Sequence, residues 1–209
     1  MGMFAKTTLV DPRGALPGRA ASVLGACRHE VFGVDVASTP GGSEVAYFAL
    51  GCFWGEEKLF WSTPGVTNTA VGYMGGATPN PTYEEVCSGR TNHAETVRVC
   101  FDPDAVAYAA LVRAFFEAHD PTQGMRQGND VGTQYRSALF VTSDAQRAVA
   151  EDVKAQFSDA FTRAGYGPIK TEIADAGAFY FAEAYHQQYL IKNPGGYCPI
   201  HATGVTCRA

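Results

Sequence analysis

Several features that would assign this chain to a common class are missing from its sequence. No stretch approaches the roughly 18 consecutive apolar residues of a membrane-spanning helix, and the N-terminus lacks the apolar stretch of a secretory signal. The 16 basic and 21 acidic residues give a net charge of −5 without any basic stripe. No G-x-G-x-x-G follows a predicted strand. These absences predict a cytoplasmic protein, with neither nucleic acid nor membrane as a partner, and exclude a dinucleotide-binding fold.

The six cysteines also lack the usual patterns. No C-x-x-C occurs, and the spacing is too scattered for a zinc ribbon. A chain that is neither small nor visibly secreted does not suggest a disulfide framework. We therefore expect no metal or cofactor, and we expect redox or nucleophilic chemistry for some cysteines and burial for the others. The six are Cys27, Cys52, Cys87, Cys100, Cys198 and Cys207.

The composition and the hydrophobic periodicity of the chain change twice along its length. The 209 residues, of which 46% are hydrophobic, suffice for the core of one domain. Residues 1–43 are rich in glycine, proline, alanine and serine, without any sustained period, and predict a wrapping N-terminal extension. Residues 44–193 carry the periodic segments of an α/β domain. Residues 194–209 predict an irregular tail that bears two cysteines.

The periodic segments predict strands and helices in a definite order. Strands are expected at 45–51, 66–73, 94–101, 138–142 and 169–174, and helices at 53–63, 105–120, 143–165 and 179–193. The segments 74–93 and 121–137 are expected to be loops. This order predicts an α+β fold, a two-layer α/β sandwich with a mixed sheet and a ferredoxin-like core, plus long irregular terminal segments.

The segment YFALGCFWGEEKLFW places Cys52 between a predicted strand and a predicted helix. Free N–H groups and the helix dipole at a helix N-terminus favour a thiolate, which predicts a nucleophile. The simpler alternative is that Cys52 is a small core residue. Against it, Phe53 and Trp54 point about 100° apart on a helix and cannot both serve one packing stripe.

Glu95 is a candidate proton donor. Alternation along strand 94–101 puts it on the same face as Val97 and Val99. Burial among apolar side chains would raise its pKa and keep the carboxyl protonated, so that it could act as an acid near pH 7. Alternatively, Glu95 meets solvent or pairs with Arg98 or Arg90.

Four further polar residues are candidates. Tyr83 and Tyr135 lie in the two predicted loops and offer hydroxyl donors. Asp130 and His186 are candidates for contact with a substrate. A histidine on a predicted helix among aromatic residues is, however, more commonly structural.

Several long motifs occur in one order and resemble a known family. They are GCFWG, GYMGG at 72–76, NPTYEEVCSGRTNHAET at 80–96, HDPTQGMRQGNDVGTQYRS at 119–137, AEAYHQQYL at 182–190 and NPGGYC at 193–198. Together they resemble peptide methionine sulfoxide reductase of the A type, over about residues 45–198.

The resemblance implies roles for the residues that form the site. Cys52 would attack the sulfoxide sulfur, while Phe53 and Trp54 would receive the terminal methyl of the substrate. Glu95 would protonate the sulfoxide oxygen. The same oxygen would accept hydrogen bonds from two hydroxyls, those of Tyr83 and Tyr135. The substrate would be methionine S-sulfoxide, free or in proteins, reduced by a monomer in the repair of oxidative damage.

The resemblance also implies how the enzyme is recycled. Cys198 would resolve the sulfenic acid on Cys52, and Cys207 would pass the disulfide to an external reductant such as thioredoxin. The tail departs from the familiar pattern, which has glycines after the first tail cysteine. Here Pro199 stiffens that position, and His201 could change the pKa of the thiol.

Two other classes of function remain open from the residues alone. A Cys–His hydrolase or acyltransferase could combine Cys52 with His93 or His186 and with Asp130. A zinc-binding protein could use three tail residues, although no fourth ligand is obvious. These three are Cys198, His201 and Cys207.

Overall fold

A six-stranded sheet forms the centre of the computed structural model, which describes residues 6–197 and 201–207. The strands are β1 Glu44–Ala49, β2 Val66–Met74, β3 Ala94–Phe101, β4 Arg126–Gln127, β5 Asp130–Val131, β6 Ala138–Val141, β7 Glu172–Asp175 and β8 Tyr180–Phe181. The sheet has the order β7-β6-β1-β3-β2-β8, while β4 and β5 pair separately. Only β6 and β7 are parallel within the larger sheet, so it is mixed.

Helices cover one face of this sheet. They are α1 Phe53–Trp61, α2 Tyr83–Cys87, α3 Tyr108–Ala118, α4 Asp144–Arg163 and α5 Tyr189–Lys192. α1 packs on β2 and β3, and α4 packs on α3. The chain order β1-α1-β2-β3-α3-β6 with the sheet order β6-β1-β3-β2 is the ferredoxin-like arrangement, so the predicted fold class is confirmed. No helix among the described residues is long and apolar enough to cross a bilayer.

The hydrophobic core lies between the sheet and the helices. Phe48 of β1 stacks on Phe60 of α1 with ring centroids 4.5 Å apart, and Phe115 of α3 packs against the same ring of Phe48. Every residue of β3 is buried, because helices cover one of its faces and irregular segments cover the other. Removing apolar area from water on both faces stabilises this strand in the centre of the fold.

Antiparallel pairing brings distant parts of the sequence to one end of the sheet. The end of β1 lies beside the start of β3, with Phe48 opposite Val97. The start of β3 also pairs with the end of β2, with Glu95 opposite Tyr73. The β1–α1 junction that carries Cys52 and the strand that carries Glu95 therefore meet at this end.

The N-terminal residues run over the surface with little regular structure. Beyond a 3₁₀ turn at Pro12–Gly14, an isolated bridge joins Arg28 and Asp35. The buried Asn68 amide of β2 donates to the backbone carbonyl oxygens of Asp35 and Ser38, both at 3.0 Å. These bonds attach the segment to the sheet. The predicted division at residue 43 stays a prediction.

The helix predicted at 179–193 is wrong. Tyr180–Phe181 is a strand that pairs with β2, and only Tyr189–Lys192 is helical. The Gln187 carboxamide accepts the N–H of one β2 residue and donates to the carbonyl of the same residue, as a neighbouring strand would do. Gln188 has φ of 47°, in the left-handed region, which interrupts a helix. Pairing with the sheet therefore overrides the helical pattern.

Both long segments expected to be loops contain short regular elements. The segment 74–93 includes α2, and the segment 121–137 includes the β4–β5 hairpin and a 3₁₀ turn at Thr133–Tyr135. The remaining predicted elements agree with the structure, with ends shifted by a few residues. The largest shifts, of three residues, are at the start of the helix expected at 105–120 and observed at Tyr108–Ala118, and at the start of the strand expected at 169–174 and observed at Glu172–Asp175.

Candidate active site

Cys52 lies at the junction of β1 and α1. It is the N-cap residue of α1, and the backbone N–H of Trp54 favours the charged form of its thiol. The turn before it requires Gly51, whose φ is +125°, and a Cβ there would lie 2.8 Å from the side chain of Gln127. The thiol is thus brought to the start of the helix, where it is partly exposed.

A cavity of about 140 Å³ opens beside this thiol. It is lined by Cys52, Phe53, Trp54, Tyr83, Glu95, Asp130, Tyr135 and Tyr197. All of these except Tyr197 are residues that the sequence singles out. Five separate segments of the chain contribute to this one space, which supports the choice of these residues as a group.

Two aromatic side chains form one wall of the cavity. Phe53 is 1% exposed and packs near the ring of Tyr73, with centroids 5.9 Å apart. Trp54 is partly exposed, and its ring stacks on Tyr189 with centroids 3.8 Å apart and an interplanar angle of 13°. Its indole N–H donates to Nδ1 of His186 at 3.0 Å. The wall is therefore apolar and held in place from behind.

The Glu95 carboxyl is buried at the opposite side of the helix start. It is 1% exposed, and its Oε2 accepts the backbone N–H of Phe53 at 3.1 Å. Burial raises its pKa to about 8, and the nearby negative charge of Asp130 adds to the rise. At neutral pH Glu95 therefore carries a proton that it can donate.

The surroundings of Cys52 oppose the thiolate that the helix end favours. Burial raises the pKa of the thiol far above its ordinary value, and the adjacent carboxyl of Glu95 raises it further. The Trp54 N–H opposes this shift but does not overcome it. The helix N-terminus lowers the pKa of the thiol, but desolvation and the neighbouring acid raise it by more.

Two tyrosine hydroxyls face the same space. Tyr83 begins α2, and its backbone N–H donates to the Glu183 carboxylate at 2.9 Å. Its hydroxyl is paired with the thiol of Cys87. Tyr135 ends the 3₁₀ turn. Burial raises the pKa of both phenols well above the usual value, so both hydroxyls keep their protons and can donate.

Tyr197 is the cavity residue that sequence reasoning missed. Its hydroxyl donates to the Asp130 carboxylate at 3.3 Å, and burial raises the pKa of that carboxyl. The only signal in the sequence is its position directly before Cys198 in the motif NPGGYC. Cys198 itself lies outside the described residues.

Three other candidates lie away from the cavity. His186 is fully buried behind Trp54, in a turn rather than a helix. Cys207 packs against the main hydrophobic core. His93 has Nδ1 accepting the N–H of Gly76 at 3.1 Å and Nε2 at 2.7 Å from a backbone carbonyl. In the part of the chain that is described, no imidazole lines the cavity, which leaves a Cys–His hydrolase without its base.

Metal-ligating residues are not clustered in the described part of the chain. Residues 6–197 and 201–207 contain no group of three or more histidine, cysteine, aspartate and glutamate side chains placed to hold an ion. Of the three residues in the zinc hypothesis, Cys198 lies outside these ranges.

Comparison with known proteins decides the family. The sequence profile described as peptide methionine sulfoxide reductase matches residues 44–208. The chain belongs to this family. A curated relative, peptide methionine sulfoxide reductase MsrA of Azorhizobium caulinodans, is 59% identical over 200 residues, which cover 95% of this chain and 92% of the relative. This chain is therefore an oxidoreductase of the A type, as the motifs indicated.

Solved structures agree with this assignment. Methionine sulfoxide reductase A of Corynebacterium diphtheriae superposes with a TM-score of 0.86 and 49% identity, over 96% of this chain and 98% of that one. Mxr1 from Saccharomyces cerevisiae in complex with Trx2 has a TM-score of 0.51 and 25% identity, over 74% and 89% of the two chains. The mixed-sheet fold is shared with these reductases.

Proposed function

We propose that this enzyme reduces methionine S-sulfoxide, free and in proteins, with Cys52 as the nucleophile and Glu95 as the proton donor. The observation that carries the proposal is a protonated, buried carboxyl that shares one small cavity with a cysteine thiol. A sulfoxide oxygen is a poor leaving group unless it is protonated as it departs, so such an acid is what the reaction needs. The choice of the S epimer rests on membership of the A type.

The cavity offers a matching surface for each end of the sulfoxide group. Its volume of about 140 Å³ is four to five times the ~30 Å³ that one water occupies, which suits a side-chain terminus. The methyl group would lie against Phe53 and Trp54. The oxygen would accept hydrogen bonds from the Tyr83 and Tyr135 hydroxyls beside the acid of Glu95. Asp130 would contact the polar part of the substrate, and His186 would act through Trp54.

The raised pKa values of the thiol and the acid suggest the order of the proton transfers. Glu95 gives its proton to the sulfoxide oxygen and becomes a carboxylate, which then accepts the proton of the Cys52 thiol. The Cys52 sulfur attacks the substrate sulfur to form an S–S bond. That bond and the S–O bond to methionine then break as the hydroxyl passes to the Cys52 sulfur and methionine leaves. The oxygen ends as the hydroxyl of a sulfenic acid on Cys52. Methionine sulfur is thereby reduced by two electrons and Cys52 is oxidised by two.

Recycling would use the two cysteines of the tail. The Cys198 thiol attacks the sulfenic sulfur, forming a disulfide with Cys52 and releasing water. The position of Tyr197 in the cavity wall supports this step, because it directly precedes Cys198. Cys207 would then take over the disulfide and present it to a thioredoxin. The yeast relative solved in complex with Trx2 supports that partner.

Single turnover without reductant tests the proposal. Mixed with excess sulfoxide, the enzyme should release about one or two equivalents of methionine and then stop, because its thiols are consumed. Cys52→Ser should release none. Cys198→Ser should release about one equivalent and accumulate a sulfenic acid that a dimedone probe traps. Continued turnover without reductant would exclude the mechanism, and normal cycling of Cys198→Ser with thioredoxin would show that another cysteine resolves.

A further inference from the structure

Trp54 is held on two sides by one turn of the chain, residues 186–189. His186 accepts the indole N–H at 3.0 Å, and Tyr189 stacks on the ring face at 3.8 Å. These contacts fix both the tilt and the rotation of the indole. The turn that provides them contains a residue with left-handed backbone, Gln188, and lies outside regular helix and strand. Within residues 186–189 its backbone makes one hydrogen bond, from the N–H of Tyr189 to the carbonyl of His186 at 3.1 Å.

Glu57 of α1 fixes this turn. Its Oε2 accepts the backbone N–H of Gln188 at 2.8 Å, and its Oε1 accepts the Gln188 side-chain amide at 2.6 Å. The side chain of Glu57 is fully buried, and it lies three residues after Trp54, on the adjacent turn of the same helix. The Glu57 carboxyl therefore connects α1, which carries the Trp54 indole, with the turn that contacts this indole.

A third donor comes from the sheet. Thr69 of β2 donates its hydroxyl to Glu57 Oε1 at 2.9 Å. His29 Nδ1 accepts the N–H groups of Val31 and Phe32, so the proton of the neutral ring is on Nε2. That Nε2 lies 2.8 Å from the Thr69 oxygen and donates to it, which leaves the Thr69 proton for Glu57. Both bonds in this series therefore donate towards the Glu57 carboxyl. Together with the two bonds from Gln188, Glu57 accepts three hydrogen bonds.

We propose that Glu57 is a positioning residue for the substrate: it fixes the turn 186–189 and thereby the orientation of Trp54. The inference rests on the proposed role of Trp54 as the wall that receives the methyl group. Removing the carboxyl acceptor leaves buried donors without a partner, which favours rearrangement of the turn. Glu57 does not line the cavity, so its effect reaches the substrate through the cavity residues that the turn contacts. Trp54 has the closest contacts, and the rings of Phe53 and Tyr83 lie 5.1 and 4.7 Å from that of His186.

The test uses Trp54 as its own reporter. The chain has two tryptophans, so Trp61→Phe leaves Trp54 as the only one. In that background, Glu57→Gln keeps the side-chain volume but replaces one acceptor oxygen by an amide NH2, which then faces one or two of the three donors. We expect KM for a methionine sulfoxide peptide to rise about three- to tenfold, while kcat changes less than about twofold. A change in KM of this size corresponds to the free energy of ordering one or two side chains again on binding. Acrylamide should quench Trp54 fluorescence more strongly.

Matched variants separate positioning from a general loss of structure. Glu56→Gln alters the neighbouring buried glutamate, which accepts the N–H of Leu50 instead, and should leave the quenching constant at its parent value. Tyr189→Leu should reproduce the rise in KM, and Tyr189→Phe, which keeps the stacked ring, should restore it. An unchanged KM in Glu57→Gln, or a raised KM with unchanged quenching, would overturn the inference.

Two further measurements cover the remaining outcomes. If Glu57→Gln does not fold, Gln188→Asn removes the 2.6 Å bond while tolerating the left-handed backbone, and no change in KM or quenching there overturns the proposal. Trp54→Leu tests the underlying function separately. An unchanged KM in Trp54→Leu refutes the methyl wall, whereas a raised KM there with no effect from Glu57 refutes only the positioning role.

Discussion

At the scale of single residues, the acid and the thiol of the site are controlled by burial more than by their local sequence. Alternation along one strand was enough to predict a desolvated Glu95, because period and burial are both local properties. The charge state of Cys52 was not predictable in this way. Desolvation raises its pKa most, followed by the charge of Glu95, and both depend on segments that fold around the thiol, whereas only the smaller effect of Glu56 is local in sequence.

Glu95→Gln should strongly impair the reductive step. Without the carboxylic acid, single-turnover release of methionine should slow about 10²- to 10⁴-fold, the usual contribution of a general acid, while sulfoxide still binds. The pKa of Glu95 is raised to about 8, so the acid form is present below that pH. In the parent enzyme the rate should therefore be level near pH 7 and fall as pH rises through about 8.

This fall with pH should be absent in Glu95→Gln, since the amide does not titrate. Rapid-quench measurement of methionine between pH 6 and pH 10 checks both points. Glu44→Gln, a change at an exposed glutamate on β1, serves as the control and should follow the parent curve. A parent-like rate in Glu95→Gln would refute the acid role.

At the scale of secondary-structure elements, the site depends on helices and strands that are too short to show a hydrophobic periodicity in the sequence. α2 has five residues, less than two helical turns, so hydrophobic periodicity could not reveal it. Its capping box was readable: Thr82 accepts the N–H of Glu85, and the Glu85 side chain accepts the N–H of Thr82. Capping signals can thus find helices that periodicity misses.

The segment 179–193 shows the opposite error. Its spacing of aromatic and aliphatic residues resembles a helix, but a free edge of β2 competes for the same residues. Tertiary pairing of this kind depends on where the edge lies after folding, which a single segment does not reveal. The long strands and helices of the core, where pattern and packing agree, were predictable.

Thr82→Ala and Ser143→Ala form a matched pair at this scale. Each removes a helix N-cap, since Thr82 caps α2 and Ser143 caps α4 by accepting the N–H of Gln146. Each should lower the free energy of unfolding by about 1 kcal/mol in urea titrations. Only Thr82→Ala should also slow methionine release, about three- to tenfold, because α2 positions the Tyr83 hydroxyl. Equal activity of the two variants would argue against a role for α2.

At the scale of the whole molecule, the N-terminal segment is attached to the sheet and to the loops around the site. Val10 exchanges hydrogen bonds with Asn92, and Arg19 pairs with Glu85 of the α2 capping box. Further along, His29 begins the chain of hydrogen bonds that ends at Glu57. Residues that precede the first strand thus contact the supports of both walls of the cavity.

Asn68→Ala should loosen this attachment. The buried Asn68 amide donates to the carbonyls of Asp35 and Ser38, and its loss removes both bonds at a cost of roughly 1 kcal/mol each. Trypsin should then cleave after Arg28 faster than in the parent, as followed by mass spectrometry. Gln156→Ala removes an amide exposed on α4 and should leave cleavage unchanged. Equal cleavage of Asn68→Ala and parent would show that other contacts hold the segment.

The protonated state of the Cys52 thiol affects how the enzyme reacts with the oxidants that produce methionine sulfoxide. Peroxide and alkylating agents react with thiolates far faster than with thiols. Because burial and Glu95 raise the pKa of Cys52, the thiol is the favoured form in the empty enzyme. In the proposed mechanism the proton leaves only when a bound sulfoxide has taken the one on Glu95. Iodoacetamide should accordingly label Cys52 more slowly than free cysteine at pH 7, and faster labelling would contradict this. Slow labelling would mean that the proposed nucleophile is protected from the oxidant until substrate binds.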